Sequence, residues 1–147
     1  MGLFFDGASK GNPRATGAGG VLISPGGKIE FRYSWGLGVK TNNEAEALAL
    51  LKGCQLAAER GILSLQLFGD SSLIIQSLIL PRSLKNSRID SLMHRINLTM
   101  GKFNQVQIYH ILRDLNKEAD GEANKGAAQV QGTLWINGRL ILNHPIP

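Results

Sequence analysis

The stretch Leu3–Pro13, LFFDGASKGNP, joins a short apolar run to an acid and then to residues rich in Gly, Asn and Pro. Leu3, Phe4 and Phe5 read as a strand that ends at Asp6, and Gly7 to Pro13 read as a loop. A carboxylate at the end of a buried strand costs free energy unless it is paired, hydrated or bound to a cation. Three later acids, Glu46, Asp70 and Asp120, each stand at the edge of an apolar element. What the chain does depends on whether those elements return them to Asp6.

From Gly17 to Ser24 (GAGGVLIS) a second strand is expected, with glycines where another backbone approaches closely. Pro25-Gly26-Gly27 is a tight turn. Lys28 to Trp35 alternates Ile29, Phe31, Tyr33 and Trp35 with Lys28, Glu30, Arg32 and Ser34, the period of a half-buried antiparallel strand. The pattern then changes. Asn43 to Arg60 is rich in helix formers and stops at Gly61, Leu65 to Gly69 is a strand, and Asp70 to Leu80 is a helix ended by Pro81. Arg88 to Phe103 is a helix with Ile89, Leu92, Met93, Ile96 and Met100 on one side. Val106 to Leu112 is a strand, and Asn116 to Val130 a helix of small residues.

Alternating strands and helices call for right-handed crossovers and parallel pairing. The expected fold class is therefore α/β. A mixed five-stranded sheet, with a three-strand antiparallel meander and two parallel strands, is flanked by helices, and the first strand lies near its centre. Residues 1–130 form the domain that carries the chemistry. Residues 131–147 make a tail, in which Thr133 to Ile136 and Arg139 to Leu142 flank Asn137-Gly138 and predict a β-hairpin.

Composition narrows the class of partner. With 147 residues, 43% hydrophobic and 18% charged, the chain is one domain with a real core. Its formal net charge of +5 suits a polyanion such as nucleic acid, although a basic surface without a partner has the same charge. A single cysteine, Cys54, excludes a disulfide framework and a cysteine zinc site. No signal-peptide pattern and no membrane-length apolar run is present, so an intracellular protein, in cytoplasm or nucleus and not secreted, is expected. The first strand starts almost at residue 1, which suggests a piece of a longer chain.

Taken singly, each acid has an ordinary structural use. Asp6 suits a turn. Asn43 as N-cap with Glu46 three residues on makes a capping box. Asp70 suits the cap of the helix that follows it, and Asp120 complements a helix dipole. Together they imply more, because four elements would present carboxylates near one end of the central strands. Clustered carboxylates repel and raise each other's pKa. A divalent cation removes that penalty, and an all-oxygen site suits magnesium or manganese.

The blocks DGASKGNP with the following GAGG, TNNEAEALAL, GDSSLIIQSL and RDLNKEAD stand in this order along the chain. In them the chain resembles a ribonuclease H domain over about Leu3 to Ala128, especially the type found in plant retroelements and plant ribonuclease H-like proteins. The resemblance implies a ribonuclease H-like fold and hydrolysis of the RNA strand of RNA–DNA hybrids, leaving 3′-hydroxyl and 5′-phosphate ends. It implies Asp6, Glu46, Asp70 and Asp120 as a catalytic quartet holding two Mg2+ ions, with Mn2+ as a substitute. It also implies Gly11, Asn12 and Asn43 as groove contacts, and Thr41 with Asn116 as a pocket for a DNA phosphate. The partner implied is the hybrid, bound by a monomer that a longer parent chain could carry beside a reverse transcriptase.

The chain departs from that pattern in several places. The loop before Asp120 is short and His110 lies within a strand, so Arg113 is expected to handle product. Gly121 and Glu122 stand in the last helix, where the family is usually apolar at position 122. Glu122 would either disturb Asp120 or face solvent. Ser72 replaces a common glutamine. The basic handle of the family is reduced, since Pro81 to Arg88 offers only Arg82, Lys85 and Arg88, and these with Lys40 are the candidates for a phosphate-binding surface. Two other readings remain open: a nucleic-acid-binding scaffold that has lost catalysis, and a DNA-cutting, integrase-like relative.

Overall fold

The computed structural model describes residues 1–11, 14–80, 87–141 and 144–147. Asn12, Arg82 and Lys85 lie outside the described residues, as does Leu142 at the end of the expected hairpin. β1 (Gly2–Lys10) is longer than its apolar run. It pairs antiparallel with β2 (Ala15–Ile23) all the way from Gly2↔Ile23 to Lys10↔Ala15. The expected loop over Gly7–Lys10 is therefore strand, because ladder pairing with β2 outweighs the low strand propensity of Gly, Ser and Lys. The chain turns at Gly11, whose φ of +79° is easily adopted only without a Cβ.

β3 (Ile29–Gly38) completes the meander. β4 (Ser64–Gly69) pairs parallel with β1, and β5 (Gln105–His110) pairs parallel with β4. The hairpin β6 (Leu134–Ile136) and β7 (Arg139–Ile141) turns at Asn137 and Gly138, both at positive φ, and β6 pairs antiparallel with β3. The sheet order is β5-β4-β1-β2-β3-β6-β7. It has seven strands where five are expected from sequence, because the hairpin adds itself to the exposed edge of β3.

One face of the sheet packs on α1 (Asn42–Glu59), with α2 (Ser72–Ile79) and α3 (Ser87–Met100) beside it. Leu3, Phe5, Phe31, Tyr33, Leu48 and Leu67 are fully buried there or nearly so. The Tyr33 hydroxyl reaches that interior and donates to the Ala49 carbonyl at 2.6 Å. α4 (Lys117–Ala127) lies against β1, β2 and β3. Gly17 and Gly19 are two apart on β2 and so share a face, and both meet the α4 backbone at Ala123. From the helix side, a Cβ at Gly126 would lie 2.6 Å from the Trp35 carbonyl oxygen. Small residues on both sides thus let helix and sheet backbones touch.

The end of the chain is tied to this body. His144 accepts from Trp35 Nε1 through its carbonyl at 2.9 Å, and its ring Nδ1 lies 3.3 Å from Lys52 Nζ. Lys52 itself sits over the Trp35 ring. No helix among the described residues is long and apolar enough to cross a membrane.

Candidate active site

Asp6 enters the site from β1, and Asp70 from the residue that follows β4. Strands β1 and β4 are parallel neighbours inside the sheet, and their register sets Asp6 level with Asp70 just past the carboxyl end of β4. Glu46 comes from the second turn of α1. The box that caps α1 is formed by Thr41 and Glu44, not by Asn43 and Glu46. Thr41 Oγ1 accepts from the Glu44 N–H at 3.1 Å, and the Glu44 carboxylate reaches back to the Thr41 N–H at 3.5 Å. The shift of two residues frees Glu46 from any capping role. Asp70 is likewise free of one, since Ser71 Oγ caps α2 by accepting from the Ile74 N–H.

One oxygen from each of Asp6, Glu46 and Asp70 lies within 4.8 Å of the other two. Asp120, from the first turn of α4, lines the same cleft of about 470 Å3. Asp6 is 3% exposed and Glu46 is 8% exposed. Burial pushes the Asp6 carboxyl up to about 6, with the charges of Asp70 and Asp120 adding to the rise. Burial and then the Asp6 carboxyl push Glu46 higher still. Glu46 Oε2 is buried without a hydrogen-bond partner. Gly7 N–H donates to Asp6 Oδ1 at 3.0 Å. An orphaned carboxylate oxygen inside an acidic, all-oxygen cluster fits a hard divalent cation.

Asn43 and Arg113 line this cleft. So do Ser9, Asn42, Ser71 and Asn124, none of which the sequence singled out. Asn124 was the most accessible of these from sequence, because it follows Asp120 by four residues on one helix and therefore shares its face. Ser9 donates to Asn42 Oδ1 at 3.1 Å and so ties β1 to the start of α1. Gly11 sits in the β1–β2 turn and does not line the cleft; neither does Thr41. His110 places Nε2 3.2 Å from the Asp70 carbonyl oxygen. Lys40 and Arg88 line a separate cleft with Arg95.

Asn116 stands at the N-cap position of α4. It is 1% exposed, and its amide makes no cap. The amide instead donates to the Phe5 carbonyl at 2.9 Å and to Asp70 Oδ2 at 3.2 Å.

Glu122 takes neither of its expected positions. It is 6% exposed and pairs with Lys125 Nζ at 3.0 Å, with an Arg32 nitrogen at 3.9 Å. Two residues along a helix is a rotation of about 200°, which turns Glu122 away from Asp120. Gly121 has nothing within 4 Å of an added Cβ. Gly121→Ala is therefore expected to stabilise the fold by about 0.5–1 kcal/mol. A denaturant titration that showed no gain would place a hidden constraint at this position.

The buried acids also predict a pH dependence in the absence of metal. The folded-state pKa of Asp6 is raised from 3.8 to about 6, so over that range the folded protein keeps a proton the unfolded chain releases. This contribution to stability is full below pH 3.8 and is lost as pH rises through about 6. Melts in a chelator should show this decline, to which the raised Glu46 carboxyl adds with the same sign, and Asp6→Asn should lessen it. A decline that persisted unchanged in Asp6→Asn would have another source.

The reverse transcriptase-like family matches residues 4–126, and the chain belongs to that family. Its domain is of the ribonuclease H type. The chain is 34% identical over 122 residues to ribonuclease HI of Halobacterium salinarum, covering 83% of this chain and 61% of that protein. The crystal structure of RNase H1 from the same archaeon aligns with a TM-score of 0.82 at 32% identity, covering 88% of this chain and 98% of that one. A protein of Arabidopsis thaliana named for ribonuclease H is 32% identical over 120 residues, which are 81% of this chain and 19% of that protein. LC11-RNase H1, solved in complex with an RNA/DNA hybrid, has the same fold, with a TM-score of 0.79, 23% identity, and coverage of 86% and 96%.

Proposed function

We propose that the chain hydrolyses the RNA strand of RNA–DNA hybrids with the help of two divalent cations, leaving 3′-hydroxyl and 5′-phosphate ends. The observation that carries this reading is the meeting of Asp6, Glu46 and Asp70 within 4.8 Å, with Asp120 on the same cleft. Three strands of support come together: the acid cluster, the family, and a structural neighbour that holds a hybrid.

Asp6, Glu46, Asp70 and Asp120 would hold the ions, Mg2+ or Mn2+. When bound, such ions supply activation of water and stabilisation of the leaving oxygen of a phosphodiester. Glu46 and Asp6 must give up their protons to take up cations, so metal affinity should rise with pH. Asn43, Ser9 and Asn42 flank the acids with short polar groups suited to ribose hydroxyls and base edges, which distinguish RNA without reading sequence. Arg113 offers a cation to a phosphate at the cleft. The chain's charge of +5 makes most of the affinity electrostatic, so binding should weaken steeply as salt rises.

The reading extends to context: a monomer, carried beside a reverse transcriptase in a longer parent chain and working in cytoplasm or nucleus. The test is cleavage of labelled hybrid, duplex RNA and duplex DNA with Mg2+ and with a chelator. Cleavage of hybrid alone, abolished by chelator, is the expected result. Tight binding of hybrid without cleavage would point to the scaffold reading, and cleavage of duplex DNA to the integrase-like one.

A further inference from the structure

Asn116 touches the supports of three acids at once. Its side-chain amide donates both hydrogens, one to the carbonyl of Phe5, the residue before Asp6, and one to Asp70 Oδ2. Its own carbonyl accepts from the Asp120 N–H at 3.0 Å. One residue thus joins the middle of β1, the carboxylate after β4 and the first turn of α4. These elements are distant in sequence, with Phe5 and Asn116 111 positions apart and Asp70 and Asn116 46 positions apart.

The environment makes this bridge stiff. Asn116 is 1% exposed, so water does not compete for its amide, and hydrogen bonds in such surroundings are directional and hard to replace. The residue stands at the N-cap position of α4 but makes no cap with its side chain, so the amide is committed to the bridge. Its Oδ1 has no partner in this buried setting, a cost the chain bears while both amide hydrogens point at the site. The bond to Oδ2 of Asp70 fixes the plane of that carboxylate at the site.

Resting on the function proposed above, we infer that Asn116 is a positioning residue. It sets the orientation of Asp70 and the register of Asp6 and Asp120, and thereby the affinity of the quartet for divalent cations. It acts through the acids and does not touch the hybrid. Partners that orient metal-binding carboxylates typically alter metal affinity or activity by about 10–100-fold when removed.

The test uses the whole chain and two variants, Asn116→Ala and Asn116→Leu, the second filling the volume of the amide without its donors. Mn2+ is titrated into each, read by calorimetry and by the rise in melting temperature, and hybrid cleavage is resolved into kcat and KM. The expected result is a half-saturating Mn2+ concentration about tenfold or more above wild type, a lowered kcat, and a KM within about twofold. In an Asp70→Asn background, Asn116→Leu should change Mn2+ affinity much less, because the oriented carboxylate is already gone.

Variants that melt earlier but match the wild type in Mn2+ affinity and in kcat per folded molecule would overturn the assignment, leaving the nuclease reading intact. A raised KM with unchanged Mn2+ affinity would overturn it in favour of a substrate contact. A wild type that binds Mn2+ more tightly than the variants yet cleaves no hybrid would remove the nuclease reading and leave the assignment standing. A wild type with no affinity for divalent ions would overturn the assignment.

Discussion

Asp70→Asn is expected to reduce hybrid cleavage on the order of a thousandfold while the protein stays folded and still binds hybrid. A loss of that size is about 4 kcal/mol of barrier. The substitution keeps the shape of the side chain and an oxygen able to accept from Asn116 Nδ2, so the bridge to α4 survives. Helix α2 is also unaffected, because its cap is Ser71. What disappears is one negative charge from a group of three carboxylates whose oxygens lie within 4.8 Å. Hybrid affinity, dominated by phosphate contacts, should hold or improve at low salt as repulsion falls. Single-turnover cleavage and binding in parallel check this. Cleavage within a few-fold of wild type would mean that Asp70 is not part of the chemistry.

The second large effect is structural. Gly17→Ala is expected to cost about 3 kcal/mol or more, at the upper end of what overpacking does. A methyl group there would fall within van der Waals range of Ala127 N, Ala123 O and Gly126 C, all backbone atoms that no side-chain rotation can move. Only a displacement of α4 relieves the overlap. A domain of this size has roughly 5–15 kcal/mol in total, so the variant should melt about 10 °C or more below wild type. Because α4 carries Asp120, any variant that does fold should also lose cleavage. Gly26→Ala serves as control, with nothing within 4 Å of the added carbon. Equal melting of the two variants would show that α4 does not pack on β2 as described.

Much of this architecture was legible locally. The alternation from Lys28 to Trp35, the switch to helical spacing after Asn43, and Asn137-Gly138 each report a period or a turn conformation that neighbouring residues impose on one another. The four acids were visible for a related reason. A charge at the end of an apolar run stands out in one dimension, and their order in the chain follows the order of the elements that carry them. The glycines of β2 even announced a close backbone approach.

Other features were decided only by contacts between distant elements. The same glycines could not say that the approaching backbone was α4, whose own Gly126 and Ala123 complete the contact. Gly7 to Lys10 became strand through pairing with β2, and the hairpin became part of the sheet through pairing with β3. Thr41 took the cap for which the sequence pattern pointed to Asn43. Glu122 was resolved by Lys125 and by Arg32, a residue 90 positions earlier on β3. Asn116 illustrates the division best. The resemblance implied a phosphate contact for it, a surface role. Its partners, Phe5 O and Asp70 Oδ2, come from two other elements. A side-chain hydrogen bond leaves no periodic trace in the sequence, since its donor and acceptor meet only after the strands and helices that carry them have packed.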